Sequence, residues 1–194
     1  MTTVIDKDLV GRAVRRDPDA TEALLAQVHP GVVRYCRARL GRIGGAYTTA
    51  DDVAQEVCLA LLRALPRYKD QGKPFSAFVF GIAAHKVADA QRAAVRDAVA
   101  TPVESMVEEP SVEPGPEQRA VATDLARRMS GLLARLPETQ REIVLLRVAV
   151  GLSAEEVGAV LAMSATAVRV AQSRALARLR TLAGDSLGDE VSAA

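Results

Sequence analysis

GLSAEEVGAVLAMSATAVRVAQSRALARLRTL, residues 151–182, reads as two helices joined by a tight turn, the second of them basic. Ser153 is a good N-cap, and Glu156 three residues on completes a capping box. Leu152 and Val157 flank that cap with the spacing of a hydrophobic staple. The first helix should run to about Leu161, with Val157, Val160 and Leu161 turned inward. Ala162–Ser164 has the length of a helix-turn-helix corner, and Ser164 can cap the second helix. On a wheel of about 100° per residue, Val168, Ala171, Ala175 and Leu179 share one side, with Leu176 at its margin. Thr166, Arg169, Val170, Ser173, Arg174 and Arg180 take the other. One face can pack; the opposite one offers cations and small polar groups, as entry into a DNA major groove requires. A merely solvated surface helix is the plainer alternative, and it leaves the agreement of cap, staple, turn and basic face without a reason.

Composition narrows the fold class. Of 194 residues, 49% are hydrophobic but only 3% aromatic, so the cores must be built from Ala, Leu and Val. Apolar residues seldom alternate at period two, so the expected class is all-α. The net charge of +1 hides a strong segregation. Residues 1–96 hold 15 Lys or Arg against 10 Asp or Glu, and residues 119–182 hold 10 against 5. Residues 97–118 have no basic residue and 6 acids, and residues 183–194 none and 3. Two basic modules are thus separated by an acidic strap, and contact with a polyanion depends on that local charge rather than on the total.

The strap carries four of the nine prolines and no helical period, so it reads as an extended, self-repelling linker. The resulting organisation is a front domain over 1–96, a linker over 97–118, a rear domain over 119–183 and a disordered tail over 184–194. Helices are expected near 6–16, 19–40, 50–66 and 75–94 in front, and near 118–135, 138–149, 153–161 and 165–183 behind. Pro137 suits a first helical turn and Gly151 a helix stop. Cys36 and Cys58 form no CxxC motif and read as small buried hydrophobes. The polar N-terminus lacks a signal peptide's apolar stretch, and no apolar run approaches the length of a membrane span. A cytoplasmic protein without a membrane partner is expected.

In the front domain, Thr49 can cap a helix with Asp51 and Asp52 in its first turn. Val53, Val57, Ala60, Leu61 and Ala64 form its inward stripe; Asp52, Gln55, Glu56, Leu59 and Arg63 share the other side. That side is either a wet surface or, given Leu59 among acids and amides, a protein-docking face. Tyr68, Phe75, Phe78 and Phe80 then put four of the six aromatics within 13 residues, interleaved with Lys69 and Lys73. Aromatics beside cations on a loop leading into a helix suit unstacked bases; the same rings also suit a core. Phe78, Ile82, His85, Asp89 and Arg92 follow helical spacing as the stripe turns polar. His85 fits a satisfied core histidine with Asp and Arg partners, or part of a base-reading pocket.

Three stretches in this order resemble one family. DDVAQEV at 51–57, the helix over 75–92 with GIAAHKVAD at 81–89, and LPETQREIVLLR at 136–147 followed by the Gly151 segment are similar to the extracytoplasmic-function (ECF) sigma factors of bacterial RNA polymerase. The ending over 168–180 resembles the actinobacterial SigD/ShbA-type group. The resemblance implies that the front domain, sigma domain two, docks through Asp52, Gln55, Glu56, Leu59 and Arg63 on the β′ clamp coiled coil of core RNA polymerase. It implies −10 contacts to single-stranded promoter DNA from Tyr68, Lys69, Lys73, Phe75, Phe78, His85, Lys86 and Arg92. It further implies that the rear domain, sigma domain four, touches the β flap and reads double-stranded −35 DNA through Thr166, Arg169, Val170, Ser173, Arg174 and Arg178. An anti-sigma factor is a candidate partner by the same resemblance, and the acidic linker would thread the polymerase's basic channels. His85 stands where many members have Asn, and Phe78 where a Trp is usual. Ala167, Val170 and Ala171 replace frequent Thr and Ser-Arg residues, which removes hydrogen-bond donors.

Enzyme classes find little support. There is no Walker A loop, no metal-spaced His/Cys cluster and no Ser-His-Asp arrangement, and two histidines, His29 and His85, leave little to build with. No catalytic residue, metal or cofactor is expected. A stand-alone helix-turn-helix regulator, with the front half for dimerisation or ligand binding, is the alternative reading.

Overall fold

The computed structural model describes residues 5–41, 48–100, 125 and 128–192. In front lie α1 (Lys7–Val14), α2 (Pro18–Leu40), α3 (Thr48–Ala64), a 3₁₀ turn (Leu65–Arg67) and α4 (Phe75–Ala100). Behind come a helical stretch over 128–134, α5 (Glu138–Val144), a widened turn (Leu145–Val150), α6 (Ala154–Leu161) and α7 (Ala165–Ser192). No strand occurs among the described residues.

Local chemistry sets the ends of these elements. The Asp17 carboxylate accepts from the Ala20 amide at 3.1 Å and from Arg12 Nε at 2.9 Å, with Pro18 at the first helical position of α2. These contacts hold its pKa below the ordinary carboxylate value, the backbone amide contributing most. Ser153 and Glu156 close a complete capping box on α6, with bonds of 3.1 and 2.8 Å. Ser164 Oγ accepts from the Ala167 amide at 3.1 Å to open α7. Gly151, at φ +92°, ends the widened turn; its amide and that of Leu152 both reach back to the Leu146 carbonyl. Glycine adopts that left-handed conformation without the steric penalty a Cβ brings.

The front helices enclose Leu24, Val32, Val57, Leu61, Val79 and Val87, all fully buried. Tyr35 and Phe80 meet edge to face at 5.7 Å across this core. Behind, α5 and α6 both pack on α7. Leu136, Val144 and Ala175 make a small separate cluster, with Leu133 and Leu179 against it.

The two halves are not held apart. The widened turn lies on α2 and α6 lies on α4. Ile143, Leu146, Val150, Leu152, Val157 and Val168 join the same continuous core as the front residues. The seam is also polar. Tyr35 donates its phenol to Glu142 Oε1 at 2.7 Å, and Arg39 pairs with Glu142 at 3.3 Å and with Glu138 at 2.7 Å. Arg34 donates to the Ala149 and Val150 carbonyls at 2.9 and 3.4 Å, at the negative end of the widened turn. The Tyr35 hydroxyl is pushed well above its ordinary pKa, first by burial and then by the Glu142 charge.

Several boundaries differ from the sequence expectation. α4 continues to Ala100, into the first residues assigned to the linker. α7 continues to Ser192 through the stretch expected to be a disordered tail, which contains no proline to stop it. α3 starts at Thr48, so Thr49 is inside the helix rather than its cap, and Pro137 is the cap of α5 rather than its first residue. Of the linker, 101–118 lies outside the described residues.

Candidate nucleic-acid interface

α7 carries the basic face where the wheel put it. Val168 and Ala175 are buried, while Thr166, Arg169, Val170, Ser173, Arg174 and Arg178 are exposed. Two features fix this helix against its neighbours. Gly158 of α6 faces the Met163 carbonyl oxygen, where a Cβ would come within 2.5 Å. The corner can therefore close only on glycine, with Ala162 left-handed at φ +55° beside it. From the widened turn, Arg147 donates to Gln172 Oε1 of α7 at 2.9 Å and also to the Leu152 carbonyl. The sequence reading missed Gly158 and Arg147. The glycine could have been noticed, since such corners favour one; the arginine bridges 25 residues and leaves no local trace. Arg169 is paired with Glu155 of α6 at 2.5 Å, an exposed contact that adds little stability.

In the front domain, the loop 68–74 is shaped by Asp70, whose Oδ1 accepts from the Gly72 amide at 2.8 Å while Oδ2 accepts from Lys7 at 3.3 Å. Gly72 adopts φ +76°, a turn conformation open to glycine. Tyr68, Phe75 and Phe78 form a trio with ring centres 4.9–5.8 Å apart. Phe75 is only 7% exposed, so it underpins the other two rings. Tyr68 and Phe78 are half-buried, and with Arg67, Lys69, Gln71 and Lys73 they line a cavity of about 370 Å³. Ala159 of α6 forms part of the same wall. His85 is exposed on α4, so the core-histidine alternative does not hold. Arg92 pairs with Asp89, and Lys86 reaches across to Glu56 of α3 at 3.0 Å.

That last pair borders the acidic face of α3. Asp52, Gln55, Glu56, Leu59 and Arg63 are all exposed, Leu59 by 51%. Asp51 is turned aside: Arg37 grips both its oxygens at 2.8 and 2.7 Å, which lowers its pKa. Of the two cysteines expected to be buried, Cys58 is only half-buried. Cys36 is buried and its thiol pKa is pushed up to about 12, chiefly by that burial. Among the described residues no group of three or more His, Cys, Asp or Glu could hold a metal, and no helix is long and apolar enough to cross a membrane.

Residues 24–97 match Sigma-70 region 2, and residues 126–179 match Sigma-70, region 4. The chain is 59% identical to the ECF RNA polymerase sigma factor ShbA of Streptomyces griseus subsp. griseus, over 94% of this chain and 96% of that one. The protein belongs to the ECF sigma factors. It is also 56% identical to SigD of Mycobacterium tuberculosis, over 89% of this chain and 81% of that protein. Among solved structures, CnrH in complex with the cytosolic domain of CnrY matches with a TM-score of 0.68 and 27% identity, covering 93% of this ECF sigma factor and 97% of CnrH. A match of that extent takes in both halves of the molecule.

Proposed function

We propose that this ECF sigma factor works by differential binding, with no catalytic chemistry of its own, acting in the cytoplasm beside core RNA polymerase. The acidic face of α3 around Leu59 docks on the β′ clamp coiled coil, and the rear domain touches the β flap. α7 enters the major groove of the −35 element with Arg169, Val170, Ser173 and Arg174 toward the DNA, and Thr166 and Arg178 at its margins. The cavity under Tyr68 and Phe78, with Lys69 and Lys73 at its rim, takes unpaired bases of the −10 element. Phe75 supports those rings from below, and His85, Lys86 and Arg92 continue the surface along α4. Opening the duplex costs a few kcal/mol per unstacked step, which stacking and pocket contacts offset.

One observation carries this reading: a rigidly placed basic helix and an aromatic, lysine-rimmed cavity occur in one chain whose family is a polymerase specificity subunit. A protein regulator docking on the factor is part of the reading, supported by the likeness to CnrH captured with CnrY.

Run-off transcription with core polymerase and a randomised promoter library tests it. The expected result is a defined set of start sites, with protection at −35 that weakens in Arg169→Ala. If Arg169 reads a guanine bidentately, the loss is about 1–3 kcal/mol at that base pair. Tight binding of the lone chain to duplex DNA, with no start sites in the presence of core enzyme, would instead indicate a stand-alone regulator.

A further inference from the structure

We infer that Val170 is a specificity residue of the −35 reader: its apolar side chain, set between arginines on α7, selects a base pair that presents a thymine methyl group in the major groove. This rests on the functional reading above and names what one residue of that surface recognises.

Val170 is 45% exposed, and among the described residues no other large hydrophobic residue of α7 is exposed. It lies in the second turn after the Ser164 cap, within the stretch that reaches base edges when such a helix lies in a groove. At about 100° per residue, Thr166, Val170, Ser173 and Ala177 fall within an arc of roughly 60°, and all four are exposed. Arg169 borders this strip on the side of α6, where Glu155 holds it. Arg174, also exposed, borders it on the opposite side. Arg147 grips Gln172 from behind α7 and the Gly158 corner fixes the start of the helix, so the fold sets the direction of the strip. A single exposed valine is ordinary on a protein surface. This one sits among short side chains that let the helix approach the groove floor, while the flanking guanidinium groups reach phosphates or guanines.

The groove floor gives that valine one favourable target. Adenine presents N7 and an amino group there, guanine two acceptors and cytosine an amino group; thymine adds a C5 methyl to its O4 acceptor. Val170 has no side-chain donor or acceptor. Against adenine, guanine or cytosine it strips water from polar atoms and returns no hydrogen bond, which is a cost. Against thymine its methyl groups meet the one apolar group on the floor, and both sides leave water. A β-branched side chain is stiff at χ1 in a helix, so the contact costs little rotamer freedom. Discrimination therefore comes from exclusion as well as attraction.

The test uses holoenzyme assembled from core polymerase and the full-length chain. A promoter library randomised over the −35 element is selected with the unsubstituted chain and with Val170→Ala. Alanine is the better helix former and the position is exposed, so the variant should keep its fold, as helix content will show. The unsubstituted chain should fix thymine, on one strand or the other, at one −35 position that the variant leaves open. The remaining positions should be chosen alike. Uracil in place of that thymine removes only the methyl group. It should lower −35 occupancy about three- to fivefold for the unsubstituted chain, the scale of one methyl group taken from water, and leave Val170→Ala unaffected. 5-Methylcytosine in the same place should be preferred to cytosine by the unsubstituted chain alone. Identical selection by the two proteins overturns the inference. So does equal sensitivity to uracil, which would assign the preference to DNA shape. If holoenzyme carrying the unsubstituted chain initiates nowhere, the sigma-factor reading fails, and the inference with it.

Discussion

The front and rear domains are both small helical bundles, yet they obtain their stability differently. The front one is built on two long helices, α2 with 23 residues and α4 with 26, around a core braced by Tyr35 and Phe80. The rear one has short helices before α7, and the cluster that belongs to it alone consists of Leu136, Val144 and Ala175 with two half-buried leucines. Ile143, Leu146, Val150, Leu152, Val157 and Val168 are instead part of the core shared with the front domain. The rear domain therefore leans on its neighbour for burial, and the neighbour does not lean equally in return.

The sharpest way to break this comparison is Leu146→Ala. Leu146 is fully buried within the shared core, so truncation should cost about 2–5 kcal/mol. The expected result is a lower midpoint for a single cooperative transition of the whole chain in calorimetry. Two transitions, with only one displaced, would mean that the domains are energetically separate. Next in size is Gly158→Ala, in which the new methyl must displace the Met163 carbonyl. A loss of about 1–3 kcal/mol and weakened −35 protection should follow, while binding of single-stranded −10 oligonucleotide is retained. Loss of both activities would show that the corner also props the front cavity.

Ala162→Gly should act in the opposite direction. Alanine at φ +55° bears a left-handed strain that glycine lacks, partly offset by glycine's greater unfolded freedom. The expected gain is below about 1 kcal/mol, seen as a slightly raised urea midpoint. The smallest effect concerns pH and belongs to the front domain alone. Arg37 holds the Asp51 pKa below its ordinary value, so their stabilisation is fully present above the usual carboxylate range. It fades as pH falls through the lowered value. Arg37→Ala should flatten that part of the acid-stability profile, modestly, because both side chains are well exposed.

The sequence was most legible where one helix turn determines the answer. Ser153 with Glu156, Ser164, Gly151 and the two faces of α7 rest on contacts within five residues, and local periodicity reports such contacts directly. α4 and α7 ran beyond their expected ends because neither acidic character nor a glycine such as Gly184 is enough to stop a helix already under way. The seam was the least legible element. Tyr35 and Glu142 are 107 residues apart, and nothing near either forecasts the other. One sign was present in retrospect: Ile143–Leu146 are four consecutive apolar residues, which on a helix point in every direction. A helix with no polar side must be enclosed, and here it is enclosed by two domains. Among the candidate site residues, outward placement followed from the wheel, whereas the support role of Phe75 and the cross-helix tie of Lys86 depend on contacts between separate elements.

The phenol at the seam has an optical consequence. The chain has no tryptophan and three tyrosines, so its ultraviolet emission is tyrosine emission. A ring hydrogen-bonded to a carboxylate is a poor emitter, and Tyr35 is tied to Glu142 in this way. Loss of that contact, by unfolding or by Glu142→Gln, should brighten the unlabelled protein, so the seam reports its own integrity without a label.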